Sequence, residues 1–257
     1  MKNIIRAQLY QLKKERLITI VFLGLFAVLL MNAFFGSGEG VTLSGSETAA
    51  KVLQFHSITS SLFVFLVTGI CCCSDFLDKT ANYEIMSGHT RKEVYLGRVI
   101  PCIIIGTTGW FILICSPYIL CTAIAGWGTK LAFGDFILRV VLMIFPIIRI
   151  ICEFIMLSFI IRNPYIIMGI GYGVFALGGM SEAFSQTGSY FLGITNLTLL
   201  SGFDTWLTFG MNNGAENYIY ESALPVNDIV CTIIFSVIFS AASLFLGYHF
   251  FKTDDVN

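Results

Sequence analysis

Charge is what this chain has least of. Only 12% of its 257 residues are charged, against roughly 25% in soluble domains, and too little polar sequence is left over to build a separate soluble domain. Histidine is scarce as well. His56, His89 and His249 are scattered, which argues against a histidine-built metal site, and there is no His-Glu-x-x-His. No Gly-Lys dipeptide occurs, so a Walker-type phosphate loop is excluded. No Gly-x-Ser-x-Gly elbow is present to expose a nucleophile. The chain is therefore expected not to be an enzyme, and to hold no metal and no cofactor of its own. A net charge of −1 has no general attraction for a nucleic-acid backbone, so no nucleic-acid partner is expected.

What fills the sequence instead is apolar. Hydrophobic residues make up 56% of it, gathered in runs that approach or exceed the roughly 20 residues needed to cross a bilayer as helix. The runs are continuous and do not alternate, which disfavours a transmembrane barrel. The expected fold is an all-α membrane protein, one permease-sized domain over 1–257, with six transmembrane helices: Leu17–Phe35, Ser57–Cys73, Val99–Ala125, Phe136–Ile161, Tyr165–Met180 and Ile229–Phe251. Pro101 is placed in the first turn of the third span, where a missing N–H is tolerated. Pro117 is expected to kink the third span, Pro146 interrupts the fourth, and Asn163-Pro164 ends it. Residues 1–16 mix Lys2, Arg6, Lys13, Lys14 and Arg16 with Ile4, Ile5, Leu9 and Leu12, the composition of an interfacial helix with its apolar side dipped into the acyl region. A cleaved signal peptide is not expected, since no small-x-small site follows the first run. Within 182–228, Tyr190–Leu200 and Phe203–Phe209 are too apolar for a free loop and too short to span. They predict a re-entrant outer hairpin between spans five and six.

Lys and Arg set the orientation. Lys2, Arg6, Lys13, Lys14, Arg16, Lys79, Arg91, Lys92, Arg98, Arg162 and Lys252 fall on one side of a six-span topology, against Lys51 and Lys130 on the other. Both termini and the loop 75–98 are thus expected in the cytoplasm of a multi-pass protein.

Eight cysteines lie in or beside apolar runs with no ligand spacing, and are read as small hydrophobes. Lipidation or redox chemistry at Cys71-Cys72-Cys73 is the alternative. Arg149 and Glu153 stand four apart inside the fourth span, on one helix face. Charges there cost about 2.5–3.5 kcal/mol to insert, so a buried polar pair is expected, either structural or part of a pathway. Gly169 and Gly173 have small-xxx-small spacing, which suits close helix approach within the subunit or between two subunits.

The water-compatible stretch 75–98 is the candidate site. A short amphipathic helix over 78–86 is expected, broken at Ser87-Gly88 and restarted behind Thr90 as N-cap. It opens on Asp78-Lys79-Thr80 and ends on Ser87-Gly88-His89-Thr90-Arg91-Lys92-Glu93, followed by Gly97-Arg98. In this order of elements and in this loop, the chain resembles the membrane subunit of a type-2 ABC transporter, in its bacitracin-resistance, lantibiotic-immunity and peptide-export branches. The resemblance implies a bacterial cell-membrane permease, coupled through the loop to a separate ABC ATPase subunit that binds ATP and Mg. It also implies a second permease subunit, as homodimer or heterodimer, and export of amphipathic or antimicrobial peptides. The docking residues it implies are Asp78, Lys79, Thr80, Asn82, Glu84, Ile85, Met86, Ser87, Gly88, His89, Thr90, Arg91 and Lys92, with Ile85 or Met86 inserted into the partner. Three alternatives stay open: export of lipid-like or small hydrophobic substrates, a non-transporting immunity or sensor protein, and a membrane-embedded enzyme using Arg149 and Glu153, which lacks paired catalytic groups.

Overall fold

The structure, a computed structural model, describes residues 2–35, 44–77, 80–129, 132–173, 210–211, 218–219 and 226–253. The described residues are helical apart from turns and one short strand pair. The elements are α1 (Lys2–Lys14), α2 (Arg16–Phe35), α3 (Gly45–Leu77), α4 (Thr80–Met86), α5 (Arg91–Ala125), α6 (Phe133–Leu142), α7 (Ile144–Ile161), a helical stretch over 164–173, and α8 (Val226–Thr253). Among the described residues, four helical segments are long and apolar enough to cross a membrane: Arg16–Phe34, Arg91–Ala125, Phe136–Ile161 and Thr232–Thr253, with Thr59–Ser74 a shorter apolar one. The re-entrant hairpin expected over 182–228 lies outside the described residues, except for an antiparallel pair, β1 (Gly210–Met211) with β2 (Tyr218–Ile219), and the first turn of α8.

Local chemistry accounts for the helix ends. Pro146 has no N–H to offer the carbonyl of Leu142, and the chain breaks at Met143 between α6 and α7; as the third residue of α7, the proline loses nothing there. At the far end of α7, Arg162 turns left-handed (φ 57°) and returns its N–H to Ser158 O. Asn163 Oδ1 then accepts from Tyr165 N at 3.0 Å and Ile166 N at 3.3 Å, which caps the next helix with Pro164 at its first position.

The proline placement in α5 is corrected. The helix starts at Arg91, so Pro101 sits about three turns inside it. The helix continues through both prolines. Ser116 Oγ reaches Leu113 O at 3.4 Å, the carbonyl that Pro117 cannot serve. At 35 residues, α5 is about 52 Å long against about 30 Å of hydrocarbon, so part of it must project beyond any bilayer it crosses.

The core is built from two extensive helix contacts, α3 with α5 and α7 with α8, joined by α3 against α7. Between apolar helices in lipid, close packing replaces the hydrophobic drive. Gly109 of α5 receives the ring of Phe63 so closely that a Cβ would overlap it. On the other face of α3, the ring of Phe65 packs tilted against Phe154 of α7, centroids 4.3 Å apart. Of the glycines in 164–173, Gly171 is the one that meets this core, against Phe65, while a Cβ on Gly169 or Gly173 would touch nothing. The small-xxx-small pair is therefore not used within the described part of the subunit. The expectation for α1 also changes: Ile4, Gln8 and Leu12 form a buried stripe, with Ile4 seated on Gly97 of α5. The apolar side of α1 covers the protein's own helix.

Candidate functional site

The segment between α3 and α5 is a short helix, a tight turn and a capped restart. Asp78 and Lys79, and the side chains of Thr80 and Asn82, lie outside the described residues. From Glu84 onward the loop is laid out in detail. His89 N donates to Glu84 O (3.3 Å) and Gly88 N to Ile85 O (3.1 Å), the paired bonds of a Schellman motif that ends α4. The motif needs a left-handed residue before His89, and Gly88 supplies it at φ 97°. Ser87 Oγ adds a bond to Glu84 O at 2.7 Å.

The restart is a full capping box. Thr90 Oγ1 accepts from Glu93 N at 3.3 Å, and Glu93 Oε2 accepts from Thr90 N at 3.2 Å. His89 Nδ1 lies 3.8 Å from the same carboxylate. Because α5 runs without interruption from this cap into the apolar core, any displacement of the cap moves the long helix with it.

Three further contacts hold the loop. Arg98 of α5 is fully buried, and its Nη2 lies 3.0 Å from Glu84 Oε2 of α4, with side chains 1% and 27% exposed. This is an ion pair rather than an aligned hydrogen bond; Arg98 Nη1 donates to Val94 O at 3.1 Å. Arg91 Nη1 donates to Lys252 O at 2.7 Å and reaches Phe251 O at 3.4 Å, a cation on the carbonyl end of α8 where the helix dipole favours it. Tyr95 OH donates to Leu244 O at 2.8 Å, and its ring packs among Phe159, Tyr248 and Phe251. Lys92 is exposed.

Of the two apolar residues expected to meet a partner, Ile85 is half-buried against the protein's own core, and Met86 is 82% exposed. Tyr83 joins Met86 outside at 68%. Sequence reasoning missed Tyr83, Tyr95 and the role of Arg98. Arg98 read as one more positive charge at a span end, and no helical spacing links it to Glu84.

Arg149 and Glu153 of α7 are brought together as their spacing implies. Arg149 Nε donates to Glu153 Oε1 at 2.9 Å, with both side chains buried. The guanidinium carbon lies 4.5 Å from the ring centroid of Phe239 on α8, so the cation is held between a carboxylate and an aromatic face. Glu153 Oε2 is buried with no hydrogen-bond partner among the described residues. The arrangement ties α7 to α8 and keeps a polar spot inside that contact.

No family model matches the chain, and no curated protein matches it.

Proposed function

We propose that the chain is the transmembrane subunit of an ATP-driven exporter, similar to type-2 ABC permeases, and that the loop carrying α4 seats on a separate ATPase subunit. On this reading the six spans are α2, the apolar half of α3, α5, α6 with α7, the segment opening at 164, and α8. The loop and both termini face the cytoplasm of a bacterial cell, a second permease subunit completes the pathway, and ATP with Mg is bound and hydrolysed by the partner. The substrate proposed is an amphipathic or antimicrobial peptide.

One observation carries the reading: Tyr83 and Met86 project from a short helix that is itself held by a Schellman turn and a buried ion pair. A solvated linker has no need of a fixed helix presenting two large apolar side chains. Two exposed apolar side chains on a loop that also exposes Ser87, Thr90 and Lys92 have the make-up of a protein interface. ATPase closure would push α4, and the push would reach α5 through Arg98 and α8 through Arg91.

The test is co-expression with candidate stand-alone ABC ATPase subunits from the same organism, followed by co-purification and transport. Met86→Asp puts an unpaired charge in the contact and is expected to abolish both the complex and ATP-coupled transport. Lys92→Ala at the rim should weaken the complex less, with an effect that shrinks at high salt. A complex and transport activity untouched by Met86→Asp would refute the docking role.

A further inference from the structure

Three thiols from two helices converge where α3 crosses α5. Cys71 and Cys72 of α3 and Cys102 of α5 are all buried, and their Sγ atoms lie within 4.8 Å of one another. Cys71 Sγ also donates to Arg98 O, one turn before Cys102, at 3.4 Å. Among the described residues the group contains sulfur alone, with no imidazole or carboxylate in it. Neighbouring positions on a helix point about 100° apart, so Cys71 and Cys72 share a partner only because Cys102 lies between their two directions. Sulfurs bound at about 2.3 Å to one trivalent pyramidal centre stand roughly 3.4 Å apart, so the thiols, within 4.8 Å of one another, would need to close by up to about 1.4 Å to bind one atom.

We propose that this cluster is a three-thiol binding site for a trivalent metalloid, arsenic(III) or antimony(III). Charge selects the class. A divalent zinc or cadmium ion on three thiolates leaves a net charge of minus one, and copper(I) on two thiolates does the same. Either charge would sit fully buried among apolar side chains, where an uncompensated charge is strongly disfavoured. Trivalent arsenic on three thiolates is neutral. The incoming species, As(OH)₃, is neutral as well and can reach the thiols without carrying charge through the core. The exchange balances: three As–O bonds break, three As–S bonds form, and each thiol proton leaves with a hydroxide as water. Arsenic stays trivalent, and nothing is oxidised or reduced. The product would bridge α3 to α5, the two helices that flank α4, and pin them together. The inference is independent of the transport reading.

The experiment uses the full-length chain purified in detergent, with inorganic arsenite as the probe. Arsenic K-edge absorption should report three sulfur neighbours and one arsenic per chain, and the thermal unfolding midpoint should rise on binding. Cys102→Ala should lower arsenite affinity at least tenfold and remove the three-sulfur signature, while Cys115→Ala, outside the cluster, should leave both intact. The arsenite-free unfolding midpoint reports whether Cys102→Ala still folds; if it does not, Cys72→Ala makes the same test. Oxygen or two-sulfur coordination, full binding by the cluster variants, or no uptake would each overturn the proposal. So would cadmium binding to the same cysteines more tightly than arsenite, because the charge argument would then be wrong.

Discussion

Removing Glu84 should cost this protein more than removing Arg98, although the two are partners. At an effective dielectric of about 20, unit charges at the observed 3.0 Å attract by about 5.5 kcal/mol before desolvation is counted. What each deletion costs depends on the charge left behind. Glu84→Ala takes the carboxylate away from the guanidinium of Arg98, which is 1% exposed, keeps its bond to the Val94 carbonyl and cannot turn to water; removing one partner of a buried ion pair costs about 3–5 kcal/mol. Arg98→Met fills nearly the same volume and strands Glu84, which at 27% exposure can turn toward water, so about 1–2 kcal/mol is expected. The double variant removes both charges and should cost about 2 kcal/mol less than the sum of the singles. The assay is denaturation of the reconstituted protein by SDS titration from bicelles, run as a double-mutant cycle. A distance measurement between spin labels at Ser87 and Lys252 would follow α4 in parallel, and should broaden in both single variants. Strict additivity, or Arg98→Met costing more than Glu84→Ala, would refute the assignment of this pair as what holds α4.

Thr90→Ala breaks one arm of the capping box and should destabilise the start of α5 by about 0.5–2 kcal/mol, read by amide exchange confined to Arg91–Val94; equal exchange in both proteins would count against the cap. In the α7–α8 contact, Phe239→Leu keeps the volume but loses the aromatic face under Arg149, at about 0.5–2 kcal/mol. The effect should vanish in an Arg149→Met background, and its persistence there would rule out the cation–π term. A cysteine-labelling map in intact cells should find position 89 reachable only from the cytoplasm and position 47 only from outside; outside labelling at 89 would overturn the orientation drawn from Lys and Arg.

Much of this architecture is legible locally because its causes are local. A membrane-length helix depends on the composition of about 20 consecutive residues, so α2, α5, the α6–α7 segment and α8 could be read directly. Caps and breaks act within four residues. For that reason the Thr90 cap, the stop at Asn163-Pro164 and the interruption at Pro146 are visible in the letters, as is the four-residue spacing that pairs Arg149 with Glu153. Pro101 misleads because charge ends just before Val99, while the capped helix begins at Arg91 and carries its charges with it.

What only the tertiary structure decided is which way side chains face. A helix apolar on all sides has no stripe to name its inner face, and packing chose it. Packing used Gly171 and left Gly169 and Gly173 outward. It also seated the buried stripe of α1 on α5, when composition alone allowed a bilayer surface. In the loop, Ile85 turns in and Met86 out, since α4 is too short for periodicity to rank two adjacent apolar residues. The Glu84–Arg98 pair and the Cys71–Cys72–Cys102 cluster each join positions on different helices. No spacing rule connects such residues, because what separates them is a fold-back of the chain, set by how α3, α4 and α5 fit one another.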